Sequence, residues 1–363
     1  MVLFSGQLPE IIRFGRGCRH QLRSLLPPGN TLVVCGRHSL ERVRRELGMI
    51  RQCTFAVVSG ELPLHELEAI VGSARRDSCR NFIGWGGGSA MDCAKAAAAL
   101  TDAPLAVEDY FYNRAELPER ENFLALLPTT AGTGAEITAN AVIRDDATRI
   151  KQSLRGPGMT ADAALIDPEL LDNAPMAVTA SAGFDALTQA LESFTSIKTT
   201  PLCSSIAAAA AKLILNALER GCANDPAALD ELARGSMMTG IAFASSGLGA
   251  VHGLAHPLGS VLDIPHGECC GTLLLPVLKR NAEYKPELFE TLACDLGFSS
   301  KEALFAEIAR LQSKLGIPEK FSAPELLADN MDFVIKNCRS GSMKCNQRQF
   351  SDDELRRLLE ELI

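Results

Sequence analysis

Positive charge is in short supply in this sequence: 36 Lys and Arg face 44 Asp and Glu, a formal net charge of −8 over 363 residues. That excludes a broad basic field for nucleic acid or anionic lipid, leaves room only for a local cationic pocket, and makes a small molecule the default partner. An uninterrupted apolar run of about 18 residues is also missing. The opening stretch MVLFSGQLPEIIRFGRG has no basic segment leading into continuous apolar sequence. A soluble, cytoplasmic protein with no membrane partner is the expectation. The twelve cysteines include no CxxC pair, although Cys269 and Cys270 are adjacent. This argues against a disulfide frame or a zinc knuckle, and nearly all of them read as reduced core thiols. There is no internal repeat of the kind that builds a solenoid, and no segment composed like a flexible linker. Histidine is scarce, at six residues.

With 47% hydrophobic residues the chain can bury large cores, and its length suggests two domains. Between about residues 30 and 150, short apolar runs (Thr31–Cys35, Thr54–Val58, Asn81–Trp85, Phe123–Leu127) alternate with amphipathic segments, the pattern of βαβ units around a parallel sheet. Leu64, Leu67, Ile70 and Val71 make a helical stripe, and 89–100 is an alanine-rich helix. Residues 115–122 form a charged loop inside this domain. Past Asp167-Pro168 the strand signals stop, and helices follow near 177–197, 202–220, 226–246, 249–260, 268–282, 286–295, 301–314 and 352–361. An α/β domain of residues 1–172 with a parallel sheet, followed by an all-α domain of residues 173–363, is the predicted fold.

Gly86-Gly87-Gly88 lie directly between a predicted strand and helix, where backbone amides can approach a pyrophosphate at the positive helix end. Ser89 and Asp92 read as a capping pair at that helix start. The spacing departs from G-x-G-x-x-G, and an ordinary tight turn is the competing reading. A second loop, Pro128 to Glu136, again follows an apolar strand and combines Thr129, Thr130 and Thr133 with two glycines. Two such loops on one sheet favour a dinucleotide over two surface turns.

In the helical half, Asp185 and Gln189 stand four residues apart on one helix face, as do His252 and His256, and His266 follows closely. Half of the chain's histidines thus fall within fifteen residues. A lone helix histidine is usually structural; this cluster reads as a shared site for Fe(II) or Zn(II).

The motifs GGGSxxDxxK (Gly86 to Lys95), PTTAGTGAE (Pro128 to Glu136), DALTQALE (Asp185 to Glu192) and HGLAHPLG-x5-PHG (His252 to Gly267), in this order, resemble the iron-containing, group III alcohol dehydrogenases. The resemblance spans essentially the whole chain. It implies an N-terminal dinucleotide domain and a C-terminal helical domain, the architecture shared with dehydroquinate synthase, with the active site in the cleft between them. It implies a nicotinamide-dependent alcohol dehydrogenase or aldehyde reductase whose metal ligands, one aspartate and three histidines, match Asp185, the position of Gln189, His252 and His266. Gln189 is the departure: an amide oxygen is a weaker, harder donor than imidazole. A retained metal, a changed metal preference and a metal-free enzyme similar to maleylacetate reductase are all compatible with it. The rival enzyme class is a lyase similar to dehydroquinate synthase; the non-enzymatic rival is a nucleotide-sensing module with a decayed metal site.

Further residues take expected roles from the same resemblance. His256 is the proton-relay position, or else an outer hydrogen-bonding residue. Gly36 stands where NAD-preferring relatives carry an aspartate for the ribose diol, and Arg37 is adjacent, so NADPH is expected over NADH. Lys151 falls at a cofactor-contacting lysine, with a plain surface lysine as the alternative. Phe243 matches an aromatic near the substrate. The segment Cys338 to Arg348 replaces a shorter family loop ending in Asn-Pro-Arg, and its Arg339, Lys344 and serines suit an anion. The substrate expected is then a small aldehyde or alcohol bearing a phosphonate, phosphate or carboxylate, for instance phosphonoacetaldehyde; a solvated basic loop is the alternative. Relatives are commonly dimers or larger homo-oligomers.

Overall fold

The computed structural model describes residues 4–48, 50 and 52–363. The chain divides into two compact units, Gly6–Asp172 and Asn173–Ile363, with Phe4 and Ser5 grouped with the second. The first unit carries strands β1 (Ile11–Phe14), β2 (Asn30–Gly36), β3 (Cys53–Val58), β4 (Cys79–Gly86), β5 (Phe123–Pro128), β6 (Asn140–Asp145), β7 (Ile150–Arg155) and β8 (Ala163–Ile166). Its helices are α1 (Leu22–Leu25), α2 (Leu40–Leu47), α3 (Leu64–Arg76), α4 (Gly88–Leu100) and α5 (Val107–Phe111).

Six strands form one parallel sheet in the order β1-β8-β5-β4-β2-β3, while β6 and β7 pair antiparallel as a separate ribbon. From β2 the chain steps outward to β3, then returns to place β4 on the other side of β2. The order therefore reverses between β2 and β4, and in open α/β sheets that reversal opens a crevice at the carboxyl ends of the strands. The four strands anticipated by alternation are β2 to β5, the buried centre of the sheet plus one edge. The short edge strand β1, the alanine-rich β8 and the polar β6–β7 ribbon carry too weak a pattern to be anticipated. Helix α4 explains why alanines are needed there: eleven of its residues are buried, and small side chains let it pack against β4, β5, β6 and α3 at once. Gly84 on β4 has the same cause, since a Cβ there would lie 2.7 Å from Leu126 and 3.0 Å from Ala94.

The second unit holds α6 (Met176–Thr195), α7 (Pro201–Cys222), α8 (Pro226–Ser246), α9 (Ala250–Leu262), α10 (His266–Tyr284), α11 (Pro286–Leu296), α12 (Lys301–Leu315), α13 (Pro324–Asp329), α14 (Met331–Asn337) and α15 (Asp352–Glu360). The longer helices fall where the apolar periodicity puts them; α13 and α14 are too short for that signal. Helix α7 is long and apolar enough, by length and composition alone, to cross a membrane, but half of its most apolar window is buried and it packs against α6 and α8. The second unit thus brings α6, α9 and α10 together around one buried polar cluster.

Candidate functional site

In the α/β unit, three neighbouring parallel strands end in the residues singled out from the sequence: β2 at Gly36, β4 at Gly86 and β5 just before Thr129. Gly86 and Gly36 approach so closely that a Cβ on Gly86 would lie 3.2 Å from the Gly36 nitrogen and 2.7 Å from the Ala90 Cβ. The two loops meet: a Cβ on Gly88 would lie 2.9 Å from the Thr133 methyl, and one on Gly87 3.5 Å from the Thr130 hydroxyl. The Thr129 amide donates to the Gly86 carbonyl at 3.0 Å. Gly87, Gly88, Ser89, Thr129, Thr130 and Thr133 are all half-buried, so the start of α4 presents backbone N–H groups and hydroxyls without a bulky side chain, which is what an anionic diphosphate requires.

One expectation is corrected here. Ser89 and Asp92 do not cap α4; the helix starts from Gly87, with no side-chain cap. Asp92 is a full turn inside, where it accepts from the Val142 amide at 2.9 Å and pairs with Lys95 at 3.0 Å. Lys95, fully buried, donates to the Asn140 carbonyl at 2.5 Å. The pair ties α4 to β6, so helix packing and not end-capping consumes both charges. Arg37 is exposed at the turn after β2. Lys151 lies on β7 in an ion pair with Glu61.

In the helical unit, the cluster centres on Asp185 of α6. His252 Nε2 of α9 is 3.2 Å from Asp185 Oδ1, and His266 Nε2 of α10 is 3.9 Å from it. Gln189, one turn beyond Asp185, is buried and donates its amide N–H to the same oxygen at 3.2 Å. His256 stacks on His266 with ring centres 5.2 Å apart and 12° between planes. Local sequence makes this convergence feasible. Gly267 carries no Cβ, which would otherwise lie 2.0 Å from the Ser181 carbonyl oxygen, so the start of α10 can press against α6.

Two participants were not anticipated. Glu192, two turns beyond Asp185, is buried, with Oε2 2.6 Å from His252 Nδ1 and Oε1 accepting from the Val251 amide at 2.6 Å. One carboxylate thus spans the positive start of α9 and the outer nitrogen of its histidine, which fixes the ring and leaves Nε2 facing the cluster. Cys270, a free and buried thiol as nearly all the cysteines were read to be, is the second. Its Sγ lies 3.9 Å from His252 Nε2 and 3.7 Å from His266 Nε2. The signal was available in both cases as helical spacing, seven residues after Asp185 and four after His266.

Burial works against a charge on His252, yet Cys270, Asp185 and Glu192 around it outweigh that and hold its pKa well above the ordinary histidine value. Burial pushes the Cys270 thiol up, while His252 pulls it down. The residues suit a divalent metal: donor atoms of Asp185, His252, His266 and Cys270 all lie within 4.8 Å of one another. A tetrahedral centre with donor distances of about 2.0–2.3 Å separates its ligands by about 3.3–3.8 Å. The printed separations straddle that range.

Of the residues expected near substrate, Phe243 is half-buried on α8. Cys338 is buried, with its thiol donating to the Ile335 carbonyl at 3.2 Å. Arg339 donates to the Phe350 carbonyl at 2.6 Å and pairs with Asp352, and Lys344 is exposed. From the same segment Asn346 Oδ1 accepts from the Ala250 amide at 3.2 Å, so the loop docks on the first turn of α9.

Residues 9–168 match the family described as iron-containing alcohol dehydrogenase, and residues 179–363 match the Fe-containing alcohol dehydrogenase family, C-terminal. The chain is 30% identical to the NADPH-dependent butanol dehydrogenase of Clostridium saccharobutylicum, over 97% of this chain and 96% of that protein. It is 30% identical to the lactaldehyde reductase of Escherichia coli, with 86% of each covered. A crystal structure of sulfoacetaldehyde reductase from Bifidobacterium kashiwanohense in complex with NAD+ superposes with a TM-score of 0.92 at 27% identity, over 100% of this chain and 99% of that one. Parallel-sheet nucleotide unit, helical metal-type unit and sequence together give one answer: the chain belongs to the iron-containing alcohol dehydrogenase family of oxidoreductases.

Proposed function

We propose that the protein is an aldehyde reductase that uses NADPH in preference to NADH and acts on a small aldehyde carrying an anionic group. The observation that carries the reductase reading is the buried cluster of Asp185, His252 and His266, with His252 oriented by Glu192. Asp185, His252 and His266 would hold a divalent metal, which would supply polarisation of a carbonyl oxygen, and a nicotinamide cofactor bound at the glycine loop would supply the hydride. The chain's own contribution is to bury and orient the donors, and to move a proton: His256, stacked on His266, is the relay, its imidazole nitrogen giving the proton that the new hydroxyl needs. The backbone amides at Gly87 and Gly88 and the hydroxyls of Thr130 and Thr133 hold the diphosphate.

Gly36 and the exposed Arg37 support NADPH, since no carboxylate at that strand end repels a 2′-phosphate. Related proteins carry both cofactor names, NADPH for the butanol dehydrogenase and NAD+ for the sulfoacetaldehyde reductase. The latter is named for an anionic aldehyde, which, with the basic Arg339 and Lys344, supports a phosphonate, phosphate or carboxylate on the substrate here. The same reading makes the protein a cytoplasmic homo-oligomer with no nucleic-acid or membrane partner.

The test is a kcat/KM comparison of an anionic aldehyde such as phosphonoacetaldehyde with a neutral aldehyde of equal length, with each cofactor, in wild type, Arg339→Ala and Lys344→Ala. The expected result is a preference for the anion that narrows in the variants and a larger value with NADPH. Equal turnover of both aldehydes in all three proteins overturns the substrate assignment, and a ratio favouring NADH overturns the cofactor assignment.

A further inference from the structure

We infer that Cys270 Sγ is a metal donor in this chain, taking the coordination position that Gln189 leaves, and that the thiolate makes the site select Zn(II) over Fe(II). The inference rests on the reading above that this cluster is the metal site. Three independent features carry it.

Position comes first. Cys270 follows His266 by one turn of α10, and its Sγ faces the Nε2 atoms of both histidines at 3.9 and 3.7 Å. The second falls within, and the first just beyond, the range of about 3.3–3.8 Å expected of neighbouring donors about a tetrahedral ion. Sγ thus stands with two imidazoles and the Asp185 carboxylate, all within 4.8 Å of one another. The adjacent Cys269 shows the contrast, because its Sγ lies 3.8 Å from the Ala255 carbonyl oxygen.

Next, Gln189 is already engaged as a donor. Its amide N–H, not its oxygen, faces the shared Asp185 Oδ1 at 3.2 Å, while its Oε1 is buried with no hydrogen-bond partner among the described residues. An N–H group has no lone pair to offer an ion.

The third feature is donor chemistry. A thiol loses its proton to solvent as a divalent ion binds, so Asp185 and Cys270 bring two negative charges and His252 and His266 none. The four donors and a divalent ion then sum to zero, and the Glu192 carboxylate hydrogen-bonded to His252 adds one negative charge just outside them. Soft sulfur favours Zn(II) over Fe(II), adding to the general order of affinities in the same direction.

Full-length protein loaded with Zn(II) alone, and separately with Co(II) alone, provides the test. X-ray absorption at the zinc edge is expected to show one sulfur at about 2.3 Å, and the cobalt form a thiolate-to-metal charge-transfer band in the near ultraviolet. Cys270→Ser should lose both signals and weaken Zn(II), measured by chelator competition, by more than about 100-fold, whereas Gln189→Ala should cost about 10- to 100-fold, the range of an outer hydrogen-bond partner. Cys269→Ser should keep both signals. A wild-type protein without the sulfur shell overturns the inference whether or not any variant folds. So does a Cys270→Ser protein that retains the shell, or a Gln189→Ala protein that loses more affinity than Cys270→Ser. These readouts separate the two proposals: aldehyde turnover without a sulfur shell removes this inference alone, and a sulfur shell without turnover removes the reductase reading alone.

Discussion

The two units solve the problem of building a site in opposite ways. In the α/β unit the site-forming groups are backbone N–H groups and small hydroxyls at strand ends, and the bulkier charges nearby, Asp92 and Lys95, are consumed in packing α4 against β6. In the helical unit they are buried ionisable side chains from α6, α9 and α10, each held by another. Two buried glutamates make the contrast concrete. Glu192 is matched by an imidazole and a helix N–H at 2.6 Å each. Glu136, next to the threonine loop and equally buried, has its pKa pushed up to about 7 by burial, with Lys95 only partly opposing it. The α/β unit spends its buried charges on packing, and the helical unit gathers its own into one candidate site.

Removing a charge from the helical cluster should therefore have the largest effect. Asp185→Ala takes away the oxygen shared by Gln189, His252 and His266, and kcat/KM should fall by about 10³-fold, about 4 kcal/mol, together with loss of bound metal by elemental analysis. A variant that keeps both its metal and its rate breaks the comparison.

The next effect is on stability. A carboxyl with pKa raised from 4.5 to about 7 keeps a proton in the folded state that the unfolded chain releases. Stability is then highest below about pH 4.5, falls as pH rises through the window to about 7, and stays lower above it, by about 3 kcal/mol from this group. Glu136→Gln cannot ionise, so urea denaturation of the variant across this window should lack that part of the slope. Identical slopes for variant and wild type mean that Glu136 is matched after all.

The smallest effects are at glycines, and their signs should follow the space around each one. Gly86→Ala forces a Cβ to within 2.7 Å of the Ala90 Cβ and should cost about 1–3 kcal/mol as well as dinucleotide affinity by calorimetry. Gly259→Ala in α9 meets nothing closer than the Ile264 carbonyl oxygen at 3.8 Å and should gain about 0.5–1 kcal/mol, the helix-propensity difference. Destabilisation at both sites means that the surroundings of Gly259 are tighter than this spacing allows.

The same contrast explains which parts were legible in the sequence. Backbone sites leave a linear trace, because glycines and threonines must occupy consecutive positions at a strand-to-helix turn. Gly86 to Ser89 and Thr129 to Thr133 were found that way. Side-chain sites leave a trace only as far as one helix turn. Asp185 with Gln189 and His252 with His256 were visible at spacing four, and the scarcity of histidine pointed to His266. Cys270 has the same spacing from His266 but is one of twelve cysteines, and Glu192 is one of many surface-typical acids, so composition hid both. Asp92 failed in the other direction: a local capping pattern is outweighed when a neighbouring strand offers a buried amide.

By itself the sequence determined the parallel sheet, the helical second unit, the two loops and three members of the candidate metal cluster, because periodicity and glycine placement are local properties of the chain. Only the tertiary structure decided that α6, α9 and α10 bring Glu192 and Cys270 to His252, since those meetings join residues 60 and 18 apart and depend on how closely three helices can pack.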